Sequence, residues 1–231
     1  MIFGSENLIN RQKWVEKTLK SIPKNHSLID IGAGECQYKI HCEHLNYTSQ
    51  DFNQYTGKGD GIGLQTGNWD VSQIDIVSDI VSIPVEDNSY DVVLCTEVLE
   101  HVPNPIAAIE EMSRILKCNG QLILTAPFCS LTHFAPYHYC DGFSKYFYTY
   151  HLERLGYEIL EITPNGNYFQ YLSQEIQRLP FMINNFSIKK SNLFIKILVR
   201  TMIKILEFYN SKSKNTETML CFGFHVKAIK K

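Results

Sequence analysis

The sequence predicts an α/β fold, a doubly wound and mainly parallel sheet with helices on both faces. Short apolar runs alternate with helix-patterned segments, which is the pattern of a parallel sheet. The first run, LIDIGAGE, ends in a glycine turn at Gly32 and Gly34, and acidic residues stand just past the next two runs at Asp51 and Asp79. In such sheets a ligand lies beyond the carboxyl ends of the strands. The residues expected there are Asp30 to Gly34, Asp51, Asp79, Cys95 to Glu97, and the segment 126–141.

The elements follow in order. SENLINRQKWVEKTLKSIP spaces Leu8, Ile9, Trp14, Val15 and Leu19 for a helix between Ser5 and Pro23. SLIDIG is a short strand, and ECQYKIHCEHL is read as the helix that continues from its turn. YTSQDF is a second strand and DIVSDI contains a third. YDVVLCTEVLEHV opens with a buried strand over residues 92–95. NPIAAIEEMSRILKCNG is a helix capped by Asn104, with Pro105 in its first turn and Asn119-Gly120 as its stop. QLILTAPF is the next strand, ended by Pro127. NYFQYLSQEIQRLP and SNLFIKILVRTMIKILEF are two helices placed before a last strand, TMLCFGFHVKAIKK.

A single domain spanning 1–231 is expected, with a core over about 24–163, a helical insertion over about 166–215 and the last strand over about 217–231. The chain is 44% hydrophobic and 20% charged with a net charge of −2, so no global field points to nucleic acid. Seven cysteines without a C-x-x-C pair read as a reduced, cytoplasmic set, neither a disulfide framework nor a zinc site. No signal peptide and no transmembrane run is expected.

The glycine turn alone does not select a cofactor. A dinucleotide fingerprint wants a third glycine where Gln37 stands. Asp51 suits a ribose diol in either case. Asp30, a carboxylate just before the glycines, repels a pyrophosphate and favours a ligand with an ammonium group, such as a cofactor with a methionine-like end.

The ordered string LIDIGAGE, SQDF, SDIVSIPVEDNSYDVVLCTEVLEHVPNP and EEMSRILKCNGQLILTAPF resembles class I S-adenosylmethionine-dependent methyltransferases of the type 11 kind, from about Leu28 to Phe128. The resemblance implies a Rossmann-like seven-stranded sheet and methyl transfer from S-adenosyl-L-methionine. It implies that Asp30, Gly32, Ala33 and Gly34 lie at the methionine end of the cofactor. Asp51, with Phe52 beside it, would take the ribose; Asp79 and Ile80 would take the adenine; Thr96 and Glu97 would close the pocket. Where the family usually has a further glycine, two residues after Gly34, this chain has Cys36.

On the acceptor side, His101, His133 and His138 are the candidate catalytic bases, because histidine titrates near neutrality and a hydroxyl acceptor must lose a proton. The E-x-x-E-H string at Glu97, Glu100 and His101 is similar to one that binds Mg2+ in ubiquinone-biosynthesis and small-RNA methyltransferases, which makes those three candidate metal ligands. Seven aromatics and two histidines between Thr132 and Tyr148 suit stacking on a sugar or ring. Residues 143–159 resemble the helix and sixth strand of methyltransferases from sugar and polysaccharide pathways. The expected function is O-methylation of a small-molecule or carbohydrate-like acceptor. The basic, apolar helix over 191–209 fits a lid, a homodimer interface, or peripheral contact with a membrane or lipid-linked substrate. Two alternatives stand beside this: a non-catalytic cofactor-binding module or partner subunit, and an NAD-dependent oxidoreductase.

Overall fold

The computed structural model describes residues 2–231. Seven strands form one sheet: β1 (Ser27–Ile31), β2 (Asn46–Asp51), β3 (Ile76–Val77), β4 (Tyr90–Thr96), β5 (Leu116–Pro127), β6 (Tyr157–Asn165) and β7 (Gly223–Lys230). Their order is β3-β2-β1-β4-β5-β7-β6. β1 pairs in parallel with β2 and β4, β2 with β3, and β4 with β5, whereas β7 runs antiparallel to β5. The result is a mixed α/β sheet of the Rossmann-like kind with helices on both faces.

Five helices accompany it: α1 (Asn7–Lys20), α2 (Pro105–Ile115), α3 (Lys145–Arg154), α4 (Tyr168–Phe186) and α5 (Leu193–Asn210). The chain divides into two compact units. One holds 13–163 with 223–231, and the other holds the N-terminal segment up to Gln12 with 164–222.

In the larger unit the central strands are buried on both sides, as parallel strands must be: Leu28, Ile29, Ile31, Val93, Leu94, Leu122 and Leu124 are all inaccessible. Val15 and Leu19 of α1 pack with Leu28, Val92, Leu94 and Ile123 in one cluster. In the smaller unit α4 and α5 pack on each other, and Ser173 of α4 donates to the Phe3 carbonyl at 2.8 Å.

Four local expectations are corrected. The segment after the glycine turn forms turns and one 3-10 turn at Lys39–His41, not a helix; Gly34 and Cys36 both take left-handed φ, 54° and 55°, which interrupts helical backbone. The helix begun at Asn104 ends at Ile115, not at Asn119-Gly120. Leu116 already pairs with Tyr90, and the Asn-Gly pair lies inside β5 where the β4–β5 register shifts. α4 runs through Pro180 to Phe186. The last strand starts at Gly223, after a 3-10 turn at Thr216–Thr218.

Candidate active site

All the candidate site residues lie in the larger unit, at the carboxyl ends of β1 to β5. Asp30, near the end of β1, is buried and accepts a hydrogen bond from the Tyr47 hydroxyl at 2.8 Å. Burial pushes its carboxyl up to about 7; Tyr47 opposes the rise and the neighbouring Asp51 adds to it. Asp51 ends β2. Its two oxygens accept from the Gly34 amide at 3.0 Å and the Asn53 amide at 2.8 Å, so the carboxylate ties the glycine turn to the second strand. Burial raises the Asp51 carboxyl, and those amides pull it back.

Gly32 and Gly34 have positive φ. A Cβ on Gly34 would lie 2.5 Å from the Trp69 ring, so the turn requires glycine for steric as well as backbone reasons. Ala33 is buried, and its amide donates to the Gln50 carbonyl at 2.9 Å. Asp79 is exposed past the end of β3, with the buried Ile80 next to it. Thr96 is buried at the end of β4. Glu97 follows with φ 55°, and its carboxylate accepts from the Thr125 hydroxyl at 2.9 Å.

The acceptor side is built by two segments that clasp each other. A short 3-10 turn, Leu99–His101, carries Glu100 and His101. The Glu100 carbonyl accepts from the Tyr139 and Cys140 amides, while the His101 imidazole hydrogen-bonds the Tyr137 carbonyl at 2.5 Å. These contacts bring His133 and His138, from the segment after β5, beside His101. One ring nitrogen of each lies within 4.8 Å of the others. Burial and the flanking His133 hold the His101 imidazole down to about 3, so it is neutral at physiological pH. The Glu100 side chain is fully buried, with Oε1 3.8 Å from His101 Nε2 and 3.9 Å from His133 Nε2.

A wall of rings joins this cluster to the glycine turn. His101 stacks on Phe134, Phe134 stacks on Tyr55, and Trp69 meets both Tyr55 and Phe134 edge-on. Phe52 packs edge-on against Tyr137. Phe134 belongs to the aromatic segment expected here, whereas Tyr55 and Trp69 were not anticipated as site residues. Their signal is the glycine-rich stretch between β2 and β3, with glycines at 57, 59, 61, 63 and 67. That loop pairs with the acceptor segment: Leu64 bridges His133, and the Asp60 amide donates to the Ala135 carbonyl.

The donor set does not suit the expected magnesium site. Mg2+ takes oxygen ligands in a near-ideal octahedron. Here three imidazoles gather around one carboxylate, while Glu97 is engaged by Thr125. The cofactor end does suit S-adenosylmethionine. It offers buried carboxylates behind a glycine turn, an exposed carboxylate after β3 and a flanking apolar side chain, with no cationic side chain among these residues to hold a phosphate.

Residues 29–124 match the family described as a methyltransferase domain. The ubiquinone biosynthesis O-methyltransferase of Dechloromonas aromatica is 28% identical over 120 residues, which is 50% of this chain and 49% of that protein. The chain spans from about a sixth to about half of the lengths of the curated relatives it matches. A S-adenosylmethionine-dependent methyltransferase from Archaeoglobus fulgidus superposes with a TM-score of 0.57 at 16% identity, over 98% of this chain and 95% of that one. The [4+2]-cyclase SpnF superposes with a TM-score of 0.54 at 16% identity, over 96% of this chain and 80% of that one. Sheet order, glycine turn and the match over residues 29–124 are those of class I S-adenosylmethionine-dependent methyltransferase domains. The matched residues lie in the larger unit.

Proposed function

We propose that the chain is an enzyme that transfers a methyl group from S-adenosyl-L-methionine to an oxygen of a small-molecule or carbohydrate-like acceptor. The observation that carries this reading is the histidine cluster at the carboxyl ends of β4 and β5, joined by stacked rings to the cofactor turn. The cofactor supplies the methyl group: its sulfur–carbon bond breaks as the acceptor oxygen–carbon bond forms, leaving S-adenosylhomocysteine.

The chain's own residues then have distinct tasks. Asp30, Gly32, Ala33 and Gly34 receive the methionine end, Asp51 and Phe52 the ribose, Asp79 and Ile80 the adenine, and Thr96 with Glu97 lines the remaining side. The aromatic wall shields the reacting atoms from water and presents flat faces to a ring-shaped acceptor. His101, His133 and His138 line the acceptor side and promote loss of the acceptor hydroxyl proton, which the transfer requires. The ubiquinone-pathway relative, named as an O-methyltransferase, supports oxygen as the acceptor atom.

Two partner assignments belong to the same reading. Lys196, Arg200 and Lys204 of α5 stand among exposed Leu193, Phe194, Ile197 and Phe208, which suits either a second copy or a lipid-linked acceptor. Sedimentation with and without anionic vesicles separates the two. Seven free cysteines suit a reducing cytoplasmic compartment. No helix among the described residues is long and apolar enough to cross a membrane.

The test is transfer of labelled methyl to a panel of phenols, sugars and amines. Labelled methyl ethers are expected. His133→Ala should cut turnover at least about a hundredfold, the low end for loss of a group that assists proton transfer, with cofactor affinity unchanged. Labelling of amines alone would contradict the oxygen assignment.

A further inference from the structure

The three imidazoles are arranged more specifically than packing requires. The His101 Nδ1–H donates to the Tyr137 carbonyl at 2.5 Å, and the His133 Nδ1–H donates to the Leu131 carbonyl at 2.8 Å. In both rings the lone pair is therefore on Nε2, and both Nε2 atoms lie within 4 Å of Glu100 Oε1. His138 is turned the other way. Its Nε2–H points to Asp141 Oδ1 at 3.4 Å, and its Nδ1 is buried without a hydrogen-bond partner in a side chain only 7% exposed. A carbonyl or carboxylate on the far ring nitrogen is the usual support of a metal-ligating histidine, because it fixes the tautomer and the ring orientation.

We propose that His101 and His133 through Nε2 and His138 through Nδ1 form a site for a divalent transition-metal ion of the zinc class, with Glu100 beside it, and not for magnesium. Three imidazole ligands with a fourth position left open suit a catalytic zinc, and imidazole also suits copper, iron and nickel. Tetrahedral zinc at 2.0–2.1 Å holds its nitrogens roughly 3.4 Å apart, so rings whose nitrogens lie within 4.8 Å close by at most about 1.4 Å.

The proposal deepens the reading of this pocket as the acceptor site and rests on it for the chemistry. An acceptor hydroxyl taking the open position on the ion ionises more readily, its proton passing to solvent before the oxygen–carbon bond forms. The histidines then act as ligands and not as proton acceptors.

The experiment uses the whole chain stripped with chelator and titrated with Co2+ as the probe. One equivalent should bind, with the visible bands of four- or five-coordinate cobalt, and should be displaced by Zn2+ but not by millimolar Mg2+. His133→Ala and His138→Gln should each weaken Co2+ binding at least about tenfold, since even loss of a supporting group costs that much. Far-ultraviolet circular dichroism checks that the variants fold, and the Zn2+ against Mg2+ competition on the unaltered chain stands without them. Absence of stoichiometric Co2+ binding, displacement by Mg2+, or unchanged binding in folded variants would overturn the site. Cobalt binding and S-adenosylhomocysteine binding are separate readouts, so failure of the metal site and failure of the methyltransferase reading are told apart.

Discussion

Asp30 is the residue whose environment departs most from what its position in the sequence suggests. Read from the chain it is a charged group that favours an ammonium; in the fold it is buried under the Tyr47 hydroxyl. Its carboxyl rises from 3.8 to about 7, so between those values the folded protein holds a proton that the unfolded chain releases. The Asp30 contribution to stability is therefore present at the acid end and is lost as pH rises through about 7. The stability difference between the unaltered chain and Asp30→Asn should fall by a few kcal/mol across that window, measured by urea denaturation at several pH values. A pH-independent difference would contradict the buried-acid account. Asp79, being exposed, gives the cleaner test of cofactor recognition. Asp79→Ala should lower S-adenosylhomocysteine affinity by about 1.5–3 kcal/mol, the worth of a hydrogen bond to a charged group, with an unchanged melting temperature. That Asp30, Asp51 and Asp79 stand at or just past the carboxyl ends of β1, β2 and β3 was legible from the order of the strand-like runs. The place of Tyr55 and Trp69 was not, since it depends on two loops meeting across a long stretch of sequence.

At the scale of elements, the α2 start was readable to the residue. Asn104 Oδ1 accepts from the Ala107 amide at 3.2 Å with Pro105 next in line, as the capping rule expects. Asn104→Ala should cost about 1 kcal/mol of stability in a denaturant titration. The α2 end was misread, because Asn119-Gly120 marks an irregularity in β5 and pairing with β4 begins at Leu116. Propensity sees the turn residues, whereas the strand partner is a tertiary fact. The β2–β3 loop is the element that shapes the acceptor side. Gly59 has positive φ, and a Cβ there would stand 1.9 Å from the Ala135 carbonyl oxygen. Gly59→Ala should therefore displace the segment bearing His133 at a cost on the order of 1–3 kcal/mol. In kinetics it should lower kcat/KM for the acceptor while leaving S-adenosylhomocysteine binding intact. A variant with normal acceptor kinetics would show that the loop does not position the histidines.

The sheet of the whole molecule was legible because five apolar runs in order, each ending in a recognisable residue, leave few topologies open. The antiparallel direction of β7 was not legible, since nothing in GFHVKAIK states it. The division into two units was not legible either; the helices α4 and α5 look like an ordinary insertion in sequence, yet they group with the N-terminal segment, where Ser173 and Gln177 of α4 donate to the Phe3 carbonyl. The fold by itself leaves the chemistry open, as its likeness to a [4+2]-cyclase illustrates. What favours the cofactor reading is the glycine turn flanked by Asp30 and Asp51, with Asp79 past the end of β3 and no cationic side chain among these residues. The most direct measurement is a calorimetric titration of the purified protein with S-adenosylhomocysteine, using NAD as the comparison ligand. Saturable, stoichiometric binding of S-adenosylhomocysteine with no heat from NAD is the predicted result. No binding of S-adenosylhomocysteine by the folded protein, or equal binding of NAD, would contradict it.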